Sequence, residues 1–367
     1  MNEKFIALYV HKSFSQAAVM SSNGQIRRCV PLPTTIPDIV DFIHSVKRPR
    51  RLTFEEGPLA GWLARNLFRH VDELIVCEPR RNHLICKEDD KNDPLDARKL
   101  AALYRAGMLK PVHHALDPER QALKHATLLH LDLVRDRVAL GNQLVNALSQ
   151  HGRFVTATQA RDRSCWLRQL EELPDCAFLH LGLERLRERY EFARQQEQVS
   201  LKQLHGVARN IAEVRRFREV PGVGWLRGLV FYVIVDTPHR FSSDSAYVKY
   251  CGLGLKEKQS GKAKKNVSVS RVGNRRLKNI LNGAAECCAR KPETPYGARF
   301  FELQRAGHSR SQARRTVARQ IARTLRSLWI HDTDYDEGRV RNQHHDGQAP
   351  PHGSQPVSSR RQDAAMS

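Results

Sequence analysis

Two aspartates stand three residues apart in the stretch KNDPLDARKLAALYRAG, residues 91–107. On a helix, positions i and i+3 share a face, with roughly 5–6 Å between Cβ atoms. Asp93 and Asp96 are therefore spaced to offer oxygen ligands to one or two hard cations. A plainer account also covers them: Asp is a preferred N-cap, Pro94 suits the first helical position, and acids favour the first turn because of the helix dipole. A third carboxylate stands in FEEGP, residues 54–58. Glu55 closes a short β-type run, and Glu56 points to the opposite face, so only one of the two can join the aspartates. Carboxylates clustered in this way could hold Mg2+ ions about 3.5–4 Å apart, which activate a nucleophile and stabilise the leaving oxygen of a phosphodiester.

Three further stretches carry candidate chemistry. VPGVGWLRG, residues 220–228, has glycines that permit a tight turn between helices and could present N–H groups to a phosphate; Gly222 and Gly224 are the candidates, and a plain turn is the alternative. In residues 251–281 the cations Lys256, Lys258, Lys262, Lys264, Lys265, Arg271, Arg275, Arg276 and Lys278 face a single acid, Glu257. That density reads as a phosphate-binding surface. Ser260 lies inside it and could attack phosphorus while the cations stabilise the developing charge, although no adjacent base is visible. Near the C-terminus Arg315, Arg319 and Arg323 step by four opposite Val317, Ile321, Leu325 and Leu328, a stripe that is either solvated or in contact with nucleic acid.

The elements that must position these residues follow from periodicity. FIALYV (5–10), SQAAVMS (15–21) and QIRRCVPL (25–32) read as strands of a meander, with Asn23-Gly24 as a hairpin signal. Helix-like spacing over 36–46, a strand over 51–55, a helix over 59–70, a strand over 73–79 and the helix headed by Asp93 and Asp96 follow. Three antiparallel strands and then helix–strand–helix–strand–helix is the order of a ribonuclease-H-like fold, in which metal-binding acids gather where strand ends converge. Residues 112–205 read as all-helical; Leu183, Leu186, Tyr190, Ala193, Glu197, Leu201 and Leu204 step by three or four, close to a coiled-coil seam. A stretch around 154–174 of little pattern connects two helices there. A third unit spans 206–331, and residues 332–367 are expected to be a disordered tail.

The chain carries 61 Lys and Arg against 39 Asp and Glu, a net charge of +22, which points to a polyanion partner such as nucleic acid. No apolar run approaches a membrane span and the N-terminus lacks a signal-peptide plan. Eight cysteines without a CxxC pair read as reduced thiols of a cytoplasmic protein, and the scattered histidines, including the adjacent pair His113-His114, read as surface residues without zinc spacing.

The FE-x-GP acid, K-x-D-x-x-D-A-R-K-L, the long helical spacer, Pro221-Gly222-Val223-Gly224, and Ser260-Gly261 followed by Gly273-Asn274 and Leu277 occur here in one order. Together they closely resemble the DEDD-type insertion-sequence transposases, over residues 4 to about 330. The resemblance implies an α/β ribonuclease-H-like (RuvC-like) domain over 1–111, a helical coiled-coil spacer over 112–205, and a mostly helical transposase domain over 206–331 with a helix-hairpin-helix-like element. It implies Glu55, Asp93 and Asp96 as three of four acidic ligands of Mg2+, and Ser260 as the nucleophile forming a phosphoserine link. DNA, at the element ends and the target, is the implied substrate, with a structured non-coding guide RNA and a homo-dimer or homo-tetramer as partners. Gly222, Gly224, Lys262, Lys264, Lys265, Arg271, Asn274, Arg275 and Arg276 are the expected nucleic-acid contacts.

One position departs from the family pattern. The first acid belongs at the end of strand one, where this chain has Ile6-Ala7-Leu8-Tyr9-Val10-His11-Lys12. Tyr9 stands in the acidic position, and a phenol with a pKa near 10 is a poor Mg2+ ligand. His11 shares its strand face, but imidazole suits Mg2+ badly. A second, smaller departure is Gly228, where the family has Ala. Three readings follow: an active metal-assisted recombinase working through Ser260, a relic that binds DNA or RNA without chemistry, and a junction-resolving nuclease using metal-activated water.

Overall fold

The computed structural model describes residues 3–79, 92–258, 266–269 and 272–340. The chain divides into two compact units, residues 1–139 and 140–367.

In the first unit, β1 (Lys4–Val10), β2 (Phe14–Ser21) and β3 (Ile26–Pro33) form an antiparallel meander. The Asn23-Gly24 turn joins β2 to β3, with the Ser21 hydroxyl donating to Asn23 Oδ1 at 2.6 Å. Helix α1 (Ile36–His44), β4 (Arg50–Glu55), α2 (Ala60–Leu67), β5 (Glu73–Cys77) and α3 (Asp93–Arg105) follow. The sheet order is β3-β2-β1-β4-β5, with β4 parallel to β1 and β5 parallel to β4. This mixed α/β arrangement has the element order expected from periodicity.

Strand alternation divides the side chains between two cores. Ile6, Leu8, Leu52 and Phe54 pack with Ile39, Ile43 and Leu63 of α1 and α2. Phe5, Ala7 and Tyr9 lie on the other face with Ala97, Leu100, Ala101 and Tyr104 of α3. Because β1 is covered on both faces, it reads as a continuous apolar run rather than an alternating one.

Helix α4 (Pro118–Ser149) enters the second unit at Leu140. The stretch expected to be a patternless connection is two short helices, α5 (Ala157–Arg161) and α6 (Arg163–Glu171). Trp166 of α6 is 2% exposed and packs with Leu144, Leu148, Leu183 and Tyr190. Helices of five and nine residues are too short to show convincing periodicity, so the sequence pattern missed them. Helix α7 (Ala177–Ala208) buries Leu183, Tyr190, Ala193 and Leu204 from the expected seam.

Beyond it come α8 (Ala212–Glu219), α9 (Gly224–Val235), α10 (Asp244–Tyr250), the hairpin β6 (Leu255–Lys258) and β7 (Asn266–Val269), α11 (Arg275–Cys288), α12 (Pro295–Arg305) and α13 (Arg310–His331). Helix α9, GWLRGLVFYVIV, is apolar around nearly its whole circumference, so it is stable only when surrounded. It packs against α7, α8 and α11. Residues 332–340, expected to belong to a disordered tail, are held in place. Asp332 turns the chain back with φ +51, Asp332 and Asp334 pair with Arg216 of α8, and Val340 is 7% exposed. Residues 341–367 lie outside the described residues. No described helix is long and apolar enough to cross a membrane.

Candidate functional site

The first candidate site is the carboxyl end of β1 and β4. Leu8 pairs with Phe54 in parallel register, so the next residues on the two strands are Tyr9 and Glu55. Phe54 belongs to the α1–α2 core and Tyr9 to the α3 core, so alternation turns Glu55 to the same face as Tyr9. Asp93 and Asp96 head α3, the helix that covers that face. Asn92 occupies the N-cap position without a side-chain capping bond, and Pro94 falls at the second helical position. Asp93 is thus one residue inside the helix and is not its cap, which removes part of the plainer explanation for it.

The structure pairs Asp93 with a residue considered only as a possible helper. His11 Nε2 lies 3.2 Å from Asp93 Oδ2, both side chains being about one-third exposed. The contact has ion-pair separation, but the ring N–H is not aimed for a hydrogen bond. The His11 ring also stacks on Phe14 at 4.7 Å and meets Tyr9 edge-on at 5.1 Å. A second histidine was read as a surface residue and is not one. His114 is 15% exposed at its side chain, and its Nε2 lies 2.5 Å from Glu56 Oε2. Chain distance hid this pair, since 58 residues separate its members. Beneath these groups is a cavity of about 530 Å3 lined by Tyr9, His11, Lys12, Glu55, Glu56 and Leu59, among others.

Among the described residues, no three His, Cys, Asp or Glu side chains are grouped to hold a metal ion. The structure places Glu55, Asp93 and Asp96 at one end of the sheet but does not converge them on a common point. Tyr9, a phenol and not a carboxylate, stands beside Glu55 at the strand ends, and Asp93 Oδ2 lies 3.2 Å from His11 Nε2. In this arrangement Glu55, Asp93 and Asp96 by themselves do not form a group that would hold a cation.

The second candidate site is in the helical unit. The α8–α9 turn is closed by packing: a Cβ built on Gly222 would lie 2.3 Å from Ala284 O and 2.9 Å from Cys288 Sγ. Cys288 Sγ donates to Pro221 O at 3.1 Å and Arg227 Nη1 donates to Gly222 O at 2.9 Å. Burial pushes the Cys288 thiol up to about 12, so it stays protonated and able to donate. Gly222 therefore faces α11, whereas Gly224 has φ +60 with open space around its α-carbon. At Gly228 a methyl would come 3.2 Å from Phe217 Cβ, so the missing methyl lets α8 and α9 approach closely.

Asn274 is a helix cap: its side chain accepts from Leu277 N at 3.0 Å. Arg275 and Arg276 then stand at the first positions of α11, with no acid in that turn. Cations at the positive end of a helix are unfavourable by about 0.3–1 kcal/mol each. The expected stripe on α13 is partly structural. Arg319 donates to Thr316 Oγ1 at 2.9 Å, and Arg323 Nε pairs with Asp244 Oδ2 at 2.8 Å. Burial, followed by the charges of Arg323 and Arg315, lowers the pKa of Arg319. Ser260, Lys262, Lys264, Lys265 and Arg271 lie outside the described residues.

Comparison with known proteins covers both sites. Residues 10–152 match the profile of the IS110-type DEDD transposases, described as "Transposase". Residues 214–301 match "Transposase IS116/IS110/IS902 family". The chain is 26% identical over 301 residues to "Putative transposase y4qE" of Sinorhizobium fredii, covering 76% of this chain and 70% of that protein. It is 25% identical over 240 residues to "Transposase for insertion sequence element IS1111A" of Coxiella burnetii, covering 63% of this chain and 64% of that protein. Two transposase profiles match in series, one over the carboxylate end and one over the α8–α12 helices, and with relatives aligned over 301 and 240 residues they support an IS110-type DEDD transposase family for this chain.

Proposed function

We propose that this chain is a DNA recombinase of an insertion sequence that binds nucleic acid through its helical unit and cleaves DNA through Ser260. The observation that carries the binding half is the head of α11, whose first turn places Arg275 and Arg276 at the positive end of the helix dipole and carries no acidic residue of its own. A phosphate at that point reverses the penalty, because the helix N-terminus and both guanidinium groups then act on one anion. Exposed Gly224 is the better-placed backbone contact of the two turn glycines. In the cleavage step Ser260 Oγ attacks phosphorus, a Ser–O–P bond forms, one bridging P–O bond breaks, and the serine proton ends on the leaving deoxyribose oxygen.

The meander β1–β3 followed by two parallel strands supports a ribonuclease-H-like (RuvC-like) reading of the first unit. Glu55, Asp93 and Asp96 are its proposed acidic residues. Mg2+, a guide RNA of the element and a dimer or tetramer come with the family reading. The placement of Tyr9 and the His11–Asp93 pair favour a second reading, that of a relic which binds but does not cleave.

Covalent trapping separates the two. The protein is incubated with labelled element-end DNA, the element's flanking RNA and Mg2+, and denaturant-resistant adducts are scored for wild type, Tyr9→Asp and Ser260→Ala. An adduct in wild type that is lost in Ser260→Ala supports the active recombinase. An adduct only in Tyr9→Asp supports the relic. No adduct in any variant, with binding verified, overturns the serine role.

A further inference from the structure

We propose that the corner between α5 and α6 forms a second phosphate-binding cleft for a nucleic-acid backbone, built by Arg161, Arg163, Arg187 and Arg194. It rests on the reading that this chain binds nucleic acid, and it lies in the segment whose sequence suggested only a spacer.

The cleft has a volume of about 710 Å3. Its four arginines face two acids, Asp162 and Glu191. Arg187 is the builder. It is 8% exposed, and it donates to Ala160 O at 3.0 Å and Arg161 O at 2.8 Å, the last carbonyls of α5. Its charge is met by Glu191 at 2.5 Å. Asp162 is also committed, since its side chain caps α6 by accepting from Cys165 N at 2.8 Å. Both acids therefore have structural work, and the corner they fix holds Arg161 and Arg163 beside the opening.

Arg161 and Arg163 have no carboxylate within ion-pair distance among the described residues. Arg161 Nε is buried without an acceptor, and so is Arg187 Nε. Both guanidinium groups thus stand in the cleft wall with donors that no protein acceptor takes up. Gly141 adds an independent sign. It sits inside α4, where glycine is disfavoured relative to alanine. A Cβ there would stand 2.9 Å from Arg161 Nε, so the glycine makes room for this guanidinium. At the rim, Arg163 is exposed, and Arg194, 3.4 Å from Glu191 Oε2, is 51% exposed at its side chain. A guanidinium fork matches the geometry of a phosphate. In a chain of charge +22, the anion that reaches several such forks at once is a phosphodiester backbone.

The test is salt-dependent binding by the full chain, measured by fluorescence anisotropy with duplex DNA in one arm and a structured RNA hairpin in the other. The triple variant Arg161→Gln, Arg163→Gln, Arg194→Gln is compared with a charge-matched triple, Arg185→Gln, Arg189→Gln, Arg209→Gln. Loss of three phosphate contacts lowers the slope of log K against log salt by about 2–3, and the control lowers it by less than about 1. The arm that shows the loss identifies the nucleic acid. Circular dichroism melting checks folding. Arg163→Gln alone alters only an exposed side chain and should lower the slope by about 1. Equal slopes for the two triples, or no change in Arg163→Gln, overturn the cleft while leaving nucleic-acid binding intact. A wild-type chain that binds neither probe overturns both the cleft and the reading beneath it.

Discussion

Alanine substitution at the two turn glycines distinguishes a packing role from a phosphate-binding role. Gly222 and Gly224 have φ of +80 and +60, so an L-residue at either is strained by about 1–2 kcal/mol. Only Gly222 is crowded, with Ala284 O at 2.3 Å from the added methyl and nothing within 4 Å at Gly224. Ala284 O belongs to the backbone of α11, so relief requires moving a helix. Overpacking of this kind costs about 1–3 kcal/mol. Gly222→Ala should therefore lose about 2–5 kcal/mol, and Gly224→Ala only about 1–2. Urea denaturation of the full chain, followed by tryptophan fluorescence, reads the difference as a shift in midpoint at constant slope. Nucleic-acid affinity should respond in the opposite order: under native conditions, Gly224→Ala weakens binding more than Gly222→Ala. Equal stability losses at the two positions, or an affinity loss confined to Gly222→Ala, would refute this division of labour.

Three other outcomes are expected. Trp166→Ala should cost about 3–5 kcal/mol, because the side chain is 2% exposed in the core of α4, α6 and α7; hydrogen exchange should show α6 losing protection, and unchanged protection would contradict the packing. A hydrogen bond from Arg310, with the charges of Arg310 and Arg314, holds the Glu286 carboxyl below its usual range. Its contribution, at most about 1 kcal/mol for a partly exposed pair, is present above the unfolded pKa of about 4.3 and is lost as pH falls through the lower folded value. The melting temperature of Glu286→Gln should thus lie below wild type at pH 6, and the gap should close as the pH falls through the folded value, whereas a constant gap would count against the ion pair. Millimolar Mg2+ should leave the melting temperature of wild type unchanged and raise that of Tyr9→Asp; an equal rise in both would show that Tyr9 is no obstacle.

Much of the first unit was legible because its signals are local. Strand runs, the Asn23-Gly24 turn and helix spacing each depend on neighbours within a few residues, and they placed β1 to β5 and α1 to α3 nearly where they stand. The second unit was less legible. Helices α5 and α6 are short, and their stabilising residue, Trp166, draws its partners from α4 and α7. The Arg319 and Arg323 stripe looked solvated because a helix pattern cannot reveal that Asp244 lies across from it, 79 residues away.

The sequence alone determined the order of the elements in the first unit, that only one of Glu55 and Glu56 can face the aspartates, the unusual residue Tyr9, and the motif order that leads to the family. These follow from backbone periodicity and residue chemistry, which act locally. Only the tertiary structure decided how the polar groups are used: His11 with Asp93, His114 with Glu56, Gly222 against Ala284, and Arg187 across the α5–α6 corner. Each of these joins residues distant along the chain. Such a contact depends on which surfaces the packed helices and strands bring together, and a local pattern does not encode that.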